Sequence, residues 1–175
     1  MSLATLTKGI TANERMDWLL EKATELGAST LLPITAERSV LKLKGERSDK
    51  KLAHWQAIAV AASEQCGRNR VLQVATPLTL SQAIAASASQ SSGTRWILSL
   101  ADGTKSLQEA LQALPPQTPG HVQEVTVLSG PEGGLSPAEE AEALAAGFLP
   151  VSLGQRVLRA ETAPVAVLSA LGLLT

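Results

Sequence analysis

Between residues 130 and 136 the chain reads GPEGGLS, glycines and a proline around one carboxylate, Glu132, where an apolar run stops and a polar helix begins. Glycine lets the backbone come close to a flat or crowded ligand. A carboxylate beside it suits a ribose diol or a cationic group. The stretch has neither the G-x-G-x-x-G spacing of a dinucleotide loop nor the Gly-Lys-Ser/Thr ending of a phosphate loop. Glu132 would also repel a triphosphate. The ligand this chemistry fits is a nucleoside carrying positive charge. The plainer reading is a tight turn with a solvated glutamate, and the neighbouring segments weigh between the two.

Three other segments concentrate polar chemistry. LGQRVLRAETA, residues 153 to 163, sets Arg156, Arg159 and Glu161 at the entry of an otherwise apolar helix, where idle burial of charge would be costly. If solvated, Arg159 and Glu161 would form a surface pair worth little. ASEQCGRNR, residues 62 to 70, places Glu64, Gln65, Arg68 and Arg70 where the apolar stripe of a helix runs out. An arginine there also serves a helix C-terminus. KLKGERSDKK, residues 42 to 51, holds Lys42, Lys44, Arg47, Lys50 and Lys51, by default a solvated loop and otherwise a place for backbone phosphates.

Cysteine and histidine chemistry is thin. His54 precedes Cys66 by about 18 Å of helix axis, too far to act as its base. His121 falls in a loop, and two isolated histidines make no metal site. No metal is expected. Cys66 stands alone, which excludes an intrachain disulfide and fits a reducing cytoplasm.

The elements that must position these segments alternate. LATLT (3 to 7) reads as a strand, and residues 11 to 27 as an amphipathic helix with Thr11 and Glu14 at capping-box spacing. TLLPI (30 to 34) is a strand despite Pro33. A helix over 48 to 66 presents Leu52, Trp55, Ile58, Ala59 and Ala62 on one face. RVLQVA is a strand, LSQAIAASA a helix, RWILSL a strand, and LQEALQAL a helix capped by Ser106 and Glu109. The Pro-rich PPQTPGH is a loop. EVTVLSG leads into the glycine loop, with Ser136, Pro137 and Glu139 as N-cap, N1 and N3 of the next helix. FLPVSLG is the last strand, and the final apolar helix carries its proline near the first turn. The pattern predicts one α/β domain with a mostly parallel sheet covered on both faces. In such sheets ligands bind beyond the carboxyl ends of the strands, where the loops 130 to 135 and 154 to 162 would lie.

Composition agrees. A chain of 175 residues suffices for one full core. Apolar residues make up 45% and aromatics 2%, so the core should be aliphatic, with Trp18, Trp55, Trp96 and Phe148 as packing residues. A net charge of −1 excludes a globally basic nucleic-acid binder but leaves room for a basic patch. The apolar APVAVLSALGLL is too short to span a bilayer.

Taken together, KGITANERMDWLLEKATELGA, AASEQCGRNRV, SGPEGGLSPAE and LGQRVLRAETA closely resemble, in order and over nearly the whole chain, the RsmE family. These are SPOUT-class methyltransferases acting on uridine N3 of 16S ribosomal RNA. The resemblance implies a trefoil knot at the carboxyl end of the sheet, a homodimer, and S-adenosylmethionine bound in a bent form by the knot loops. The general rule against knots would by itself have led to an ordinary doubly wound sheet. Carried over, the cofactor residues are Ser99 and Leu100, then Gly130, Pro131, Glu132 and Gly133, then Leu153, Gly154, Arg156, Val157, Leu158 and Arg159. Family members usually carry an N-terminal PUA-like RNA-binding barrel, and residues 1–175 correspond to the catalytic domain. At 13 to 16, Asn-Glu-Arg-Met stands where the family often has Asp-Arg-Met.

Uridine N3 is a weak nucleophile until negative charge spreads over its neighbouring carbonyls, so the enzyme must stabilise that charge. Arg68 is the residue expected to do so, with Arg159 and Glu161 organising the knot and substrate edge and Glu64 as proton acceptor. Lys42, Lys44, Arg47, Arg68 and Arg70 are the expected RNA contacts, on 16S rRNA or the 30S subunit. A second reading keeps the dimeric fold as an RNA-binding or assembly domain without methyl transfer, and the intact glycine loop and Arg/Glu segment oppose it. A third, an α/β enzyme using another nucleotide, is weakened by the missing phosphate motifs.

Overall fold

A computed structural model describes residues 2–89, 93–116 and 123–173. The strands are β1 (Ser2–Gly9), β2 (Ala28–Thr35), β3 (Gln73–Val74), β4 (Leu78–Thr79), β5 (Thr94–Leu98), β6 (Lys105–Ser106), β7 (Gln123–Ser129) and β8 (Leu149–Ser152). Between them run α1 (Asn13–Glu25), α2 (Glu46–Cys66), α3 (Leu80–Ser89), α4 (Leu107–Gln112) and α5 (Pro137–Ala145), and α6 (Thr162–Gly172) follows β8. The sheet order is β3-β2-β1-β7-β5-β8-β6, with β4 also on β2. Every pairing is parallel. All carboxyl ends therefore lie along one edge, and the loops leaving them meet there.

Adjacent strand residues supply opposite faces, as the two-residue period requires. Trp96 joins the cluster formed with α1, α2 and α6, whereas Ile97 joins the one formed with α3 and α5. Val127 and Leu128 divide in the same way. The sheet is thus covered on both sides, in line with the pattern read from sequence. Trp55, Trp96 and Phe148 are buried as expected, but Trp18 is 40% exposed and is a surface residue of α1.

Pro33 is tolerated inside β2 for a geometric reason. Its β1 neighbour is Lys8, and on the other side β3 ends opposite Leu31 while β4 begins opposite Ile34. The missing N–H falls in that gap. RVLQVA contributes only the two residues of β3, and β4 and β6, also of two residues, lie below what periodicity resolves.

The capping boxes at Ser106/Glu109 and Ser136/Glu139 form as read from the sequence. The one at Thr11/Glu14 does not. The N-cap of α1 is Ala12, without a side-chain cap, and its backbone N–H donates at 2.7 Å to Glu132 in the glycine loop. His121 and most of the Pro-rich loop lie outside the described residues.

Candidate active site

The glycine loop is shaped by its own backbone. Gly134 has φ +72°, a conformation that favours glycine, and its N–H donates to Pro131 O at 2.9 Å, closing a turn. Arg38, in the connection after β2, donates from Nη1 to Gly133 O at 3.2 Å. Glu139, at N3 of α5, accepts from Glu37 N at 2.7 Å, tying the same connection to α5. On its other side the loop leans on Gly9 at the end of β1.

Between this loop, the residues after β5 and the segment after β8 lies a cavity of about 470 Å³, within the range of small-molecule sites. Leu98, Leu135, Leu153 and Leu158 supply its apolar wall, and Arg38, Arg156 and Glu140 its charges. Ser99 donates from Oγ to Glu140 and accepts from Ala101 N at 3.1 Å. That pair fixes one carboxylate in the wall. Eight of the residues expected to hold a ligand line the cavity: Ser99, Leu100, Gly130, Pro131, Gly133, Leu153, Arg156 and Leu158.

Glu132, Gly154, Val157 and Arg159 are outside this wall. Glu132 turns instead toward α1, where it accepts from Ala12 and meets Arg15 Nη1 at 3.5 Å. Arg15 Nε also lies 3.9 Å from Glu161. Val157 is exposed, and Arg159 accepts through its carbonyl from Thr162 and Ala163, starting α6. Glu161 stands at the N-cap of that helix.

Beneath these groups sits a residue that the segment-by-segment reading missed. Lys8 is fully buried in β1, and its Nζ donates to Gly130 O. Burial pulls its pKa down from 10.5 to about 7, against the upward pull of the Glu132 and Glu161 charges. A signal existed in the sequence. Ala4 and Leu6 of β1 and Ile10 just after it are buried in one cluster and alternate with period two, so a lysine at position 8 is a charge on the same core-facing side. Arg15, Arg38 and Glu140 were missed as well, because only tertiary placement brings them to the site.

Arg68 is engaged away from the cavity. Its Nη1 donates to Thr24 O at 2.6 Å and Ala28 O at 3.0 Å, the end of α1 and the start of β2. It therefore seals the amino edge of the sheet, across from the cavity. Glu64 and Arg70 lie at the same end of α2 and are exposed. Lys42, Lys44 and Arg47 lie at the other end, on the carboxyl edge, separated from Arg68 by about 30 Å of helix. Leu41 and Leu43 pack on the core while Lys42 and Lys44 are exposed. The expected RNA contacts thus form two groups, one at the carboxyl edge of the sheet and one at the amino edge.

Among the described residues no group of three or more His, Cys, Asp or Glu could hold a metal ion. Nor is any of their helices long and apolar enough to cross a membrane.

Fold and cavity together define a parallel α/β domain with a nucleoside-scale ligand site at its carboxyl edge. Residues 2–172 match the RNA methyltransferase domain family, and the chain belongs to that family. Within it the chain stands with the RsmE-type proteins that its four motifs resemble. The ribosomal RNA small subunit methyltransferase E of Bacillus subtilis (strain 168) is 31% identical over 167 residues, which are 95% of this chain and 64% of that protein. A crystal structure of the ribosomal RNA small subunit methyltransferase E of Neisseria gonorrhoeae, bound to S-adenosyl methionine, superposes with a TM-score of 0.82 at 37% identity, covering 98% of this chain and 66% of that one. A Legionella pneumophila protein in complex with bound cofactor SAM gives a TM-score of 0.87 at 33% identity, with 98% and 66% covered. The chain spans a little under two thirds of the length of these relatives.

Proposed function

We propose that this chain is the methyl-transfer domain of a 16S ribosomal RNA methyltransferase that uses S-adenosylmethionine to methylate N3 of a uridine, acting as a cytoplasmic homodimer. The observation that carries the reading is the cavity built from Ser99, Leu100, the 130–133 loop and the 153–158 segment. It is supported by the SAM-bound relatives that this chain resembles over nearly its whole length. We read residues 1–175 as one SPOUT domain. The trefoil knot is part of that reading: β8 lies between β5 and β6, and α6 then packs on α1 and β1, so the segment after β8 would thread the loop joining β5 to β6.

Bound S-adenosylmethionine would supply an electrophilic methyl group on a positively charged sulfur. Leu98, Leu135, Leu153 and Leu158 form the apolar wall that excludes water from such a ligand. Glu140, held by Ser99, takes the role assigned from sequence to Glu132, a carboxylate facing a ribose diol or a cation. Beside the cavity, Arg159 stabilises charge developing on the uracil carbonyls, Glu161, held by Arg15, organises the substrate edge, and the N3 proton leaves to solvent. Lys42, Lys44 and Arg47 hold RNA phosphates on the same edge.

Calorimetry with S-adenosylmethionine, S-adenosylhomocysteine, ATP and NAD tests the cofactor, and binding of the two adenosyl compounds alone is expected. Methyl transfer to unmodified 30S particles or 16S RNA, mapped by mass spectrometry of the nucleosides, tests the reaction. Absence of binding by both adenosyl compounds sinks the proposal. Binding without transfer to either RNA substrate would favour a fold kept for RNA binding or assembly.

A further inference from the structure

Lys8 occupies a position where a lysine is costly. It lies in β1 between Pro33 of β2 and Ser129 of β7, with no exposed surface. A charge is retained there only if other groups require it. The groups that face it come from the segments that wall the cavity. Its Nζ donates to Gly130 O in the glycine loop. Glu132 of that loop and Glu161 of the segment before α6 act on it through their charges. Arg15 of α1 reaches the Oε1 atoms of both carboxylates, while both Oε2 atoms are buried without a hydrogen-bond partner. Neither Pro33 nor Ser129 adds charge.

The four side chains balance as two cations and two anions only while Lys8 is protonated. Without that proton, Arg15 alone, 43% exposed, would offset two partly buried carboxylates carried by two different walls. Their repulsion would then push the glycine loop away from the 153–161 segment.

We propose that Lys8 is a positioning residue for the cofactor cavity, its buried ammonium holding the 130–134 loop and the 153–161 segment together through Gly130 O and the Glu132/Glu161 pair. The inference rests on the reading of that cavity as the S-adenosylmethionine site. The depressed pKa of Lys8, about 7, supports it by making the effect observable near neutrality. The two wall carboxylates raise that pKa against burial in the sheet, so ligand binding that needs their walls together should favour the protonated amine and be accompanied by proton uptake.

S-adenosylhomocysteine is the probe, because its sulfur carries no charge that would act on Lys8 directly. Its affinity is measured by calorimetry from about pH 6 to about pH 8.5, in buffers of different ionisation enthalpy. In the wild-type chain, affinity should fall at least ~threefold as pH rises through this window, with proton uptake on binding. Lys8→Met should bind weakly throughout and lose the pH dependence. Should that variant fail to fold, nitrogen-15 NMR of lysine amines in the wild-type chain follows Lys8 itself, whose midpoint should rise when the probe binds. Binding with no proton uptake, or a wild-type pH profile kept in Lys8→Met, overturns the role of Lys8 and leaves the cofactor reading intact. No binding at any pH overturns both.

Discussion

A β-carbon placed on Gly9 would lie 2.4 Å from the backbone nitrogen of Pro131 and 2.8 Å from the carbonyl carbon of Gly130. Gly9 ends β1, and Pro131 opens the tight part of the glycine loop, so this contact sets how closely the loop seats on the sheet. Two of the atoms that would be struck are backbone, which cannot swing aside as a flexible side chain would. Gly9→Ala should therefore cost about 1–3 kcal/mol of stability, as overpacking does elsewhere. It should also weaken S-adenosylhomocysteine binding by shifting Pro131. Urea unfolding and calorimetry on the same preparation check both effects.

Arg68 predicts the opposite division. Its guanidinium closes the carbonyls of Thr24 and Ala28, far from the cavity. Arg68→Ala should cost about 1–3 kcal/mol, the penalty for leaving partly buried acceptors without their charged donor. S-adenosylhomocysteine affinity should stay unchanged. A large loss of affinity with stability intact would return Arg68 to the site.

Lys8 also gives stability a pH dependence of definite sign. Its pKa is lowered from the ordinary 10.5 to about 7 in the folded chain. Below about pH 7 both folded and unfolded chains carry the proton. Between there and about pH 10.5 only the unfolded chain binds it, so this group makes stability rise with pH, by at most about 1.4 kcal/mol per pH unit. Lys8→Met should remove that contribution. Unfolding free energies of the two chains at about pH 7 and about pH 10 measure the difference in slope.

RNA binding should depend on salt through the basic group on the carboxyl edge. Replacing Lys42, Lys44 and Arg47 together by Gln should reduce the slope of log affinity against log salt by about 2, at roughly 0.7 per phosphate contact on single-stranded RNA. Replacing Arg70, at the opposite edge, should leave the slope unchanged. Filter binding of a 16S RNA fragment at several salt concentrations provides the comparison. An equal loss from both changes would mean that RNA crosses the sheet from edge to edge.

The sequence was most legible where the signal was local. The boxes at Ser106/Glu109 and Ser136/Glu139 need only residues three apart, and both form. Thr11 and Glu14 have the same spacing, but the N–H of Ala12 is taken by Glu132, 120 positions away. Residues close in sequence could not reveal that competition. The choice of carboxylate for the cavity has the same origin. Glu132 and Glu140 both belong to the loop-and-helix segment, and only the packing of α1 decides that Glu132 turns away while Glu140 meets Ser99. Motif resemblance did better than residue-by-residue chemistry for the cavity lining, since eight of its residues were named in advance. Arg68 was readable in part: an arginine at a helix end suggests backbone carbonyls as partners, but that these belong to α1 and β2 depends on tertiary packing.

The position of β8 bears on how the protein is made. Among the described residues β6 pairs only with β8, and β8 also pairs with β5. On a growing chain, Lys105 and Ser106 would emerge from the ribosome more than forty positions ahead of the strand that receives them. Closing this seam requires contacts distant in sequence, which form slowly. The seam is also where Leu98, Ser99, Val151 and Leu153 come together around the cavity. A nascent chain would thus hold much of its hydrophobic core before it could close the cavity, and competence would arrive only with β8 and the segment that follows it.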